Sequence, residues 1–385
     1  MSDLNRKYWG WGLSSYQLQK DSRLELRESL LGVTAKNRVN FSPPDLKNIS
    51  LNPPRFDLPS DIDAICSSDT FERVRHTYGM SFRDLLRVFD NKFDLAPDYV
   101  AFPETESQIL NIMRFCGRNS IALIPVGGGS SVVGGIEPRA TSGPGSGQSQ
   151  PGHYRGFISL NMIKFDKLLE VDKTSRCVHV QAGIYGPHLE ALLRPHGYTL
   201  RHFPQSFEFS TLGGWIATRS GGHYATRFTH IDDFVQSVRV VTPSGIIETP
   251  RLPASGAGPD GARIFIGSEG TLGVITSAWM RVQERPKYRL STVVRFPTFL
   301  KGAEAVRLIS QSGVSPSNCR LIDAIEAAGM GLSDGSFAAL ILAFESAHIK
   351  NFSPIMESLL EMCKSCSGKW DAVQHKIGDS TPKVD

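Results

Sequence analysis

Short apolar runs alternate with amphipathic stretches along this chain, and that rhythm predicts layered α/β structure over most of its length. VAFP at residues 100–103 reads as a short strand closed by proline. TESQILNIMRFCGRN at 105–119 reads as a helix, with Thr105 placed to cap it and Gln108 completing a capping box. Ile109, Ile112, Met113 and Cys116 recur at helical spacing as its buried stripe, and Gly117 and Asn119 signal its end. IALIP at 121–125 is then a short apolar strand. Strand patterns resume at GFISL (156–160), CVHVQAG (177–183), VQSVRVVTPSG (235–245), RIFIG (263–267) and LGVITSAWMRVQ (272–283). HLEALLRPHG at 188–197 supplies a helix with Leu189, Leu192 and Leu193 on one face and Gly197 beyond its end.

Near Pro286 the character changes, and 290–385 reads as a second α/β unit. Its strands are STVVRF and AALILAFE; its helices are GAEAVRLISQSG and SPIMESLLEMC. Residues 1–90 form a mixed leader: a proline-rich connector at 41–59, then FERVRHTYGMSFRDLLRVF at 71–89, read as helical with Phe82, Leu85, Leu86 and Phe89 repeating. RKYWGWG at 6–12 sets three large rings among glycines; burial against the body of the protein is favoured over ligand binding. Residues 139–156 carry almost no apolar anchor and read as a mobile surface excursion.

Composition narrows the function. With 42 basic and 38 acidic side chains the net charge is +4, spread without a basic tract, which argues against nucleic acid as a partner. The six cysteines are too sparse for a disulfide scaffold; only Cys363 and Cys366 are close, and reduced thiols are favoured over a metal or redox pair. No stretch of eighteen uninterrupted apolar residues and no apolar signal core is visible, so a cytoplasmic protein without a transmembrane segment is expected.

Three glycine segments carry the chemistry. PVGGGSSVVGG at 125–135 follows a buried strand, and its exposed amides and serine hydroxyls suit a diphosphate or else a tight structural turn. It lacks the P-loop spacing, and the two valines suggest a return into a strand. QSFEFSTLGGWIATRSGGHYATRFTHIDD at 205–233 combines hydroxyls and glycine pairs that could pass close to a large planar ligand. In it His223 reads as a loop histidine or a group near a flavin, and His223 with His230 lacks a third metal ligand. GSEGTLGVIT at 267–276 bends sharply into a strand, with Glu269 either accepting from a ribityl hydroxyl or capping its own turn.

Together with RKYWGWG, these segments resemble the FAD-binding domain of the vanillyl-alcohol oxidase and para-cresol methylhydroxylase (PCMH) family. Within it the chain is most similar to the alkyldihydroxyacetonephosphate synthase branch and its bacterial FAD-linked oxidase relatives. PVGGGSSVVGG, FEFSTLGGWIATR, VVTPSGIIE and GSEGTLGVIT carry the likeness jointly. The resemblance implies an α+β fold: two α/β subdomains holding FAD, then a cap beginning near Pro286, with NCRLIDAIEAAG as a characteristic cap segment. The division expected is a leader at 1–90, an FAD-binding PCMH-type domain at 91–285 and a partial cap at 286–385. Cofactor contacts are implied at Pro125, Val126, Gly127, Gly128, Gly129, Ser130 and Ser131. A second set falls on Gln205, Ser206, Phe207, Glu208, Phe209, Ser210 and Thr211, with Thr218, Arg219, Ser220 and Gly221. The third comprises Glu269, Gly270, Thr271, Leu272, Gly273, Val274 and Ile275.

Departures accompany the likeness. Gln205 stands where the synthase branch commonly has an acidic residue, and GGHYATRF looks more like the bacterial oxidases. The branch's reactive tyrosine, histidine run and phosphate-holding arginine have no counterpart before Asp385, so no catalytic residue is assigned. The leading expectation is therefore an FAD-linked oxidoreductase passing hydride from an alcohol or hydroxy acid to flavin N5, with non-covalent FAD and no metal. One alternative is synthase-like exchange of acyl for alkyl on a lipid-like substrate in ether-lipid synthesis; another is a catalytically incomplete flavin binder. The resemblance also implies a possible homodimer, and a peroxisomal location if the chain is a eukaryotic synthase, although no targeting signal is recognised.

Overall fold

In this computed structural model the described residues are 6–15, 43–138, 154–224, 230–252 and 255–378, so most of the excursion at 139–156 lies outside them. The first sheet takes β1 (Cys66–Ser67), β2 (Tyr99–Ala101), β3 (Ile121–Val126) and β4 (Gly156–Asn161) in the order β1-β2-β4-β3. β2 and β3 both run parallel to β4, whose every residue is buried, as expected of a strand covered on both faces. Helix Glu106–Asn119 covers the sheet with Ile109, Ile112 and Cys116, and Thr105 and Gln108 form the capping box. Gly117 lies inside this helix rather than ending it; Ser120, in the left-handed region at φ 53°, is the terminator.

The second sheet is antiparallel. It joins β5 (Leu168–Asp172), β6 (Cys177–Gln181), β8 (Val235–Thr242), β9 (Gly245–Glu248) and β10 (Val274–Arg281) in the order β5-β6-β10-β8-β9. A small pair, β7 (Tyr198–Thr199) with β11 (Gln283–Glu284), closes its end. Helices Gly186–Leu193 and Leu212–Thr218 pack on the sheet, sharing a core with Val178, Val180, Val238 and Met280. Val241 and Val274 reach into the first sheet's core, so the two layers share buried surface. Glu106 ties them as well: Arg239 Nε donates to it at 2.8 Å and the Thr276 hydroxyl at 2.6 Å.

The last sheet holds β12 (Tyr288–Phe296), β13 (Asn318–Ile322), β14 (Ala338–Ser346) and β15 (Gln374–Ile377) in the order β13-β14-β12-β15, all antiparallel. β12 alternates buried and half-buried positions, the pattern of a sheet with one covered face. Helices Phe299–Gln311 and Ser353–Ser365 supply that cover. Cys363 and Cys366 lie in this core, where burial pushes the Cys363 thiol up to about 12 and keeps it protonated. All six cysteines are free.

Three local expectations are corrected. RIFIG is not a strand; Ala262–Phe265 is a helical turn, started where the Asp260 carboxylate accepts from the Ala262 amide at 2.9 Å. The run 71–89 is two helices, Thr70–Arg75 and Phe82–Phe89, because Gly79 and Met80 pass against Ser131 and the Met80 amide donates to its carbonyl. Phe82 thus opens the second helix, 76% exposed, while Val88 is buried. Residues 127–135 form no strand, since Ser131 Oγ accepts from the Gly135 amide at 3.0 Å and holds the chain in a turn.

Candidate functional site

β3 and β4 end side by side at Val126 and Asn161, and the β6 end and β10 start lie beside them, around a cavity of about 390 Å³. The three glycine segments meet there. Segments one and two are in near contact: a Cβ at Gly128 would lie 1.9 Å from the Phe209 carbonyl oxygen. Segments two and three are joined through their backbones, Gly267 donating to Ile216 at 3.0 Å and Glu269 to Ala217 at 2.9 Å. Met162 and Ala182, each one residue beyond a strand, complete the floor.

Residues 125–131 all line the cavity, together with Ser206, Ser210, Thr211, Thr218 and Ser220 from the second segment and Glu269, Gly270, Gly273, Val274 and Ile275 from the third. The other expected contacts lie off its wall. Phe207 stacks on Trp215 at 6.1 Å, Phe209 meets Trp11 at 6.0 Å, and the Glu208 carbonyl accepts from Arg6. Arg219, with φ 51°, donates to Asp232 at 3.0 Å, and Gly221 bridges to His230. Thr271 donates to the Ser268 carbonyl at 2.6 Å, while Gln205 and Leu272 are exposed. Sequence reasoning missed Val132, Val133, Gly135, Ile136, Met162, Ala182, Gly213, Gly214, Trp215 and Ala217 on the wall. Most are ordinary apolar or small residues; their signal was adjacency to strand ends and to the glycine pairs.

The wall is chemically particular. Among the described residues it contains no lysine, arginine or histidine, and Glu269 is its one charged side chain. None of the backbone N–H groups of residues 127–131 donates to an acceptor among the described residues. Backbone amides without an acceptor, on residues that line a cavity, can receive an anion without adding net charge. Glu269 sits in the left-handed region at φ 54°, and its carboxylate can accept from hydroxyls across the cavity. A long ligand with a diphosphate and a polyol, as in FAD, matches this donor and acceptor set.

Within the wall a chain of bonds fixes the second segment: Trp215 Nε1 donates to Ser210 Oγ at 2.7 Å, and that hydroxyl donates to the Ser206 carbonyl at 2.8 Å. His202 Nε2 lies 2.9 Å from Ser220 Oγ, and burial, then the charge of His230, pushes its pKa down to about 3. Burial and then the charge of Arg320 on β13 hold the His223 imidazole below its ordinary value. Among the described residues no group of three histidine, cysteine or acidic side chains could hold a metal ion, and no helix is long and apolar enough to cross a membrane.

This fold is that of a PCMH-type FAD-binding domain, and the FAD binding domain family model matches residues 97–249. The chain belongs to the superfamily of FAD-binding oxidoreductases and transferases, and its FAD-binding domain is homologous to those of known FAD-dependent enzymes. It is 36% identical over 289 residues to the alkyldihydroxyacetonephosphate synthase of Dictyostelium discoideum, covering 72% of this chain and 45% of that one. Against the mitochondrial D-lactate dehydrogenase [cytochrome] of Arabidopsis thaliana the identity is 32%, over 62% of this chain and 40% of that one. A solved alkyldihydroxyacetonephosphate synthase superimposes with a TM-score of 0.80 at 28% identity, covering 100% of this chain and 76% of that chain. The chain spans under half the length of both curated relatives.

Proposed function

We propose that this chain binds FAD and serves a reaction similar to that of alkyldihydroxyacetonephosphate synthase. The carrying observation is the extent of likeness: identity to the synthase reaches 36% over 72% of the chain, against 32% over 62% for the D-lactate dehydrogenase. That ordering favours acyl-for-alkyl exchange over the hydroxy-acid oxidation that the motifs alone put first.

In this reading residues 127–131 receive the FAD diphosphate on their amides, and Glu269 accepts from the ribityl chain. Residues 206–211 and 218–220 pass along the cofactor's length. Bound FAD would supply the bond chemistry, and the protein would supply position, dryness and charge. The neutral His202, bonded to Ser220, fixes the wall without adding a titrating group near neutral pH.

The test is incorporation of labelled fatty alcohol into acyldihydroxyacetone phosphate by FAD-loaded protein. Incorporation with release of fatty acid supports the synthase-like reading. Anaerobic bleaching of the flavin by D-lactate or glycolate, without incorporation, would replace it with the oxidoreductase reading, which the D-lactate dehydrogenase likeness favours. A folded, FAD-loaded protein that does neither would be a flavin binder only.

A further inference from the structure

The cavity that fits a diphosphate has no cation on its wall, yet an arginine stands directly behind it. Arg6, from the leader, donates from Nη1 to the Gly128 carbonyl at 3.0 Å and from Nη2 to the Glu208 carbonyl at 3.5 Å. Its guanidinium is also stacked over Tyr185, 4.4 Å from the ring centroid, and lies 5.2 Å from that of Phe209. One side chain, distant in sequence, thus grips the first and second cofactor segments together.

The grip has a geometric consequence. In a trans peptide the carbonyl of one residue and the N–H of the next point in opposite directions. Holding the Gly128 carbonyl outward on Arg6 therefore turns the Gly129 N–H the other way, toward the side on which residues 127–131 line the cavity. Without that anchor the Gly128–Gly129 peptide is free to flip, since glycine tolerates both orientations. Arg6 also brings positive charge to the back of an otherwise neutral cradle. The strap that carries it is itself held: Arg6 pairs with Leu13, Trp9 packs on Phe89 at 5.6 Å and Trp11 on Phe209 at 6.0 Å.

We propose that Arg6 is a positioning residue for the diphosphate-binding loop, and that the leader strap at residues 6–13 is a latch that sets how tightly FAD is held. This rests on the reading of the cavity as the FAD site. Arg6 touches no part of the cavity wall from inside, so its effect passes through the Gly128–Gly129 peptide.

The experiment titrates apoprotein with FAD and, separately, with ADP, which presents the diphosphate without the flavin. Arg6→Gln should weaken both ligands by at least tenfold and by similar factors, while the apoprotein melting temperature stays close to that of the unaltered chain. Arg6→Lys, which keeps charge and one donor, should recover part of the loss. FAD and ADP affinities within twofold of the unaltered protein in a folded Arg6→Gln variant would overturn the proposal, as would a loss for FAD with none for ADP. If the variants do not fold, hydrogen exchange of the unaltered chain decides. Residues 6–13 and 125–131 should gain protection together on adding FAD; protection of 125–131 alone overturns the latch. An unaltered chain that binds neither FAD nor ADP would instead sink the site reading itself, and the latch with it.

Discussion

Arg201 and Glu345 form a buried ion pair, 144 positions apart in sequence, that joins the end of β7 to β14 of the last sheet. Arg201 Nε donates to Glu345 Oε1 at 2.5 Å and Nη2 donates to Oε2, while the guanidinium lies 4.3 Å from the centre of the Tyr224 ring. Arg201 holds this place in the left-handed region, at φ 63°. Removing Glu345 takes from the buried Arg201 guanidinium the carboxylate it donates to, which costs about 3–5 kcal/mol. Glu345→Ala should therefore lower stability by about that much in guanidinium unfolding. Arg201→Met with Glu345→Leu together should cost less than Glu345→Ala alone, because the guanidinium is not left buried without its carboxylate. A double variant worse than the single would show that the pair's charge itself is required.

His202 sets a pH dependence whose sign follows from its burial. Its ordinary pKa is 6.5 and the folded value is pushed down to about 3. Above pH 6.5 the residue is neutral in both states and adds no slope. Between roughly pH 6.5 and 3 the unfolded chain takes a proton that the folded chain refuses, so stability falls with pH, by up to about 1.4 kcal/mol per unit. His202→Gln should remove that component. Unfolding free energies measured from pH 7 to 4 should diverge from the variant's as pH drops; parallel curves would mean that His202 is protonated in the fold.

What the sequence made legible was local. Thr105 and Gln108 announced the helix between β2 and β3 because both halves of a capping box lie within one turn. The three glycine segments were visible as compositions, and their meeting at one cavity followed from the family resemblance. Three features escaped because they depend on partners far away in the chain. The Ser131 carbonyl breaks one expected helix through a contact with Met80 that no short window of residues contains, whereas its hydroxyl breaks the expected strand through a turn to Gly135 that the two valines masked. Arg6 and Arg201 each look like ordinary surface arginines until the fold sets carbonyls or a carboxylate against them. RIFIG was misread because four apolar or neutral residues in a row suit either period; the Asp260 carboxylate, accepting from the Ala262 amide, favours the turn.

Purified protein should carry FAD, one per chain, and release it on acid or heat denaturation with the mass of intact FAD. The expectation rests on the free amides of residues 127–131 and the single carboxylate of Glu269 around one cavity. Absorbance of the supernatant after precipitation reads it. Flavin that stays with the precipitated chain would point to covalent attachment, with His223 the first residue to examine. A folded, colourless protein that takes up no added FAD would remove the cofactor assignment.

Gly128 and Gly129 separate the two meanings of the first glycine segment, a structural turn and a cofactor cradle. At Gly128 an added Cβ would strike the Phe209 carbonyl at 1.9 Å, so even alanine must force the first and second segments apart. Gly128→Ala should therefore destabilise the apoprotein by about 1–3 kcal/mol, the usual cost of overpacking. Gly129 is different: the nearest atom to its added Cβ is Ile136 Cδ1 at 3.9 Å, but its φ is 68°. There the penalty is backbone strain, about 1–2 kcal/mol, and the chain can relieve it by rotating the peptides that present the free amides. Gly129→Ala should thus lose less apoprotein stability than Gly128→Ala yet weaken FAD by about tenfold, the equivalent of about 1.4 kcal/mol. Thermal melts of apoprotein and FAD titrations of both variants supply the comparison. Should Gly129→Ala bind FAD as the unaltered protein does, the segment is a turn that happens to border the cavity, and the amide cradle must be sought elsewhere on its wall.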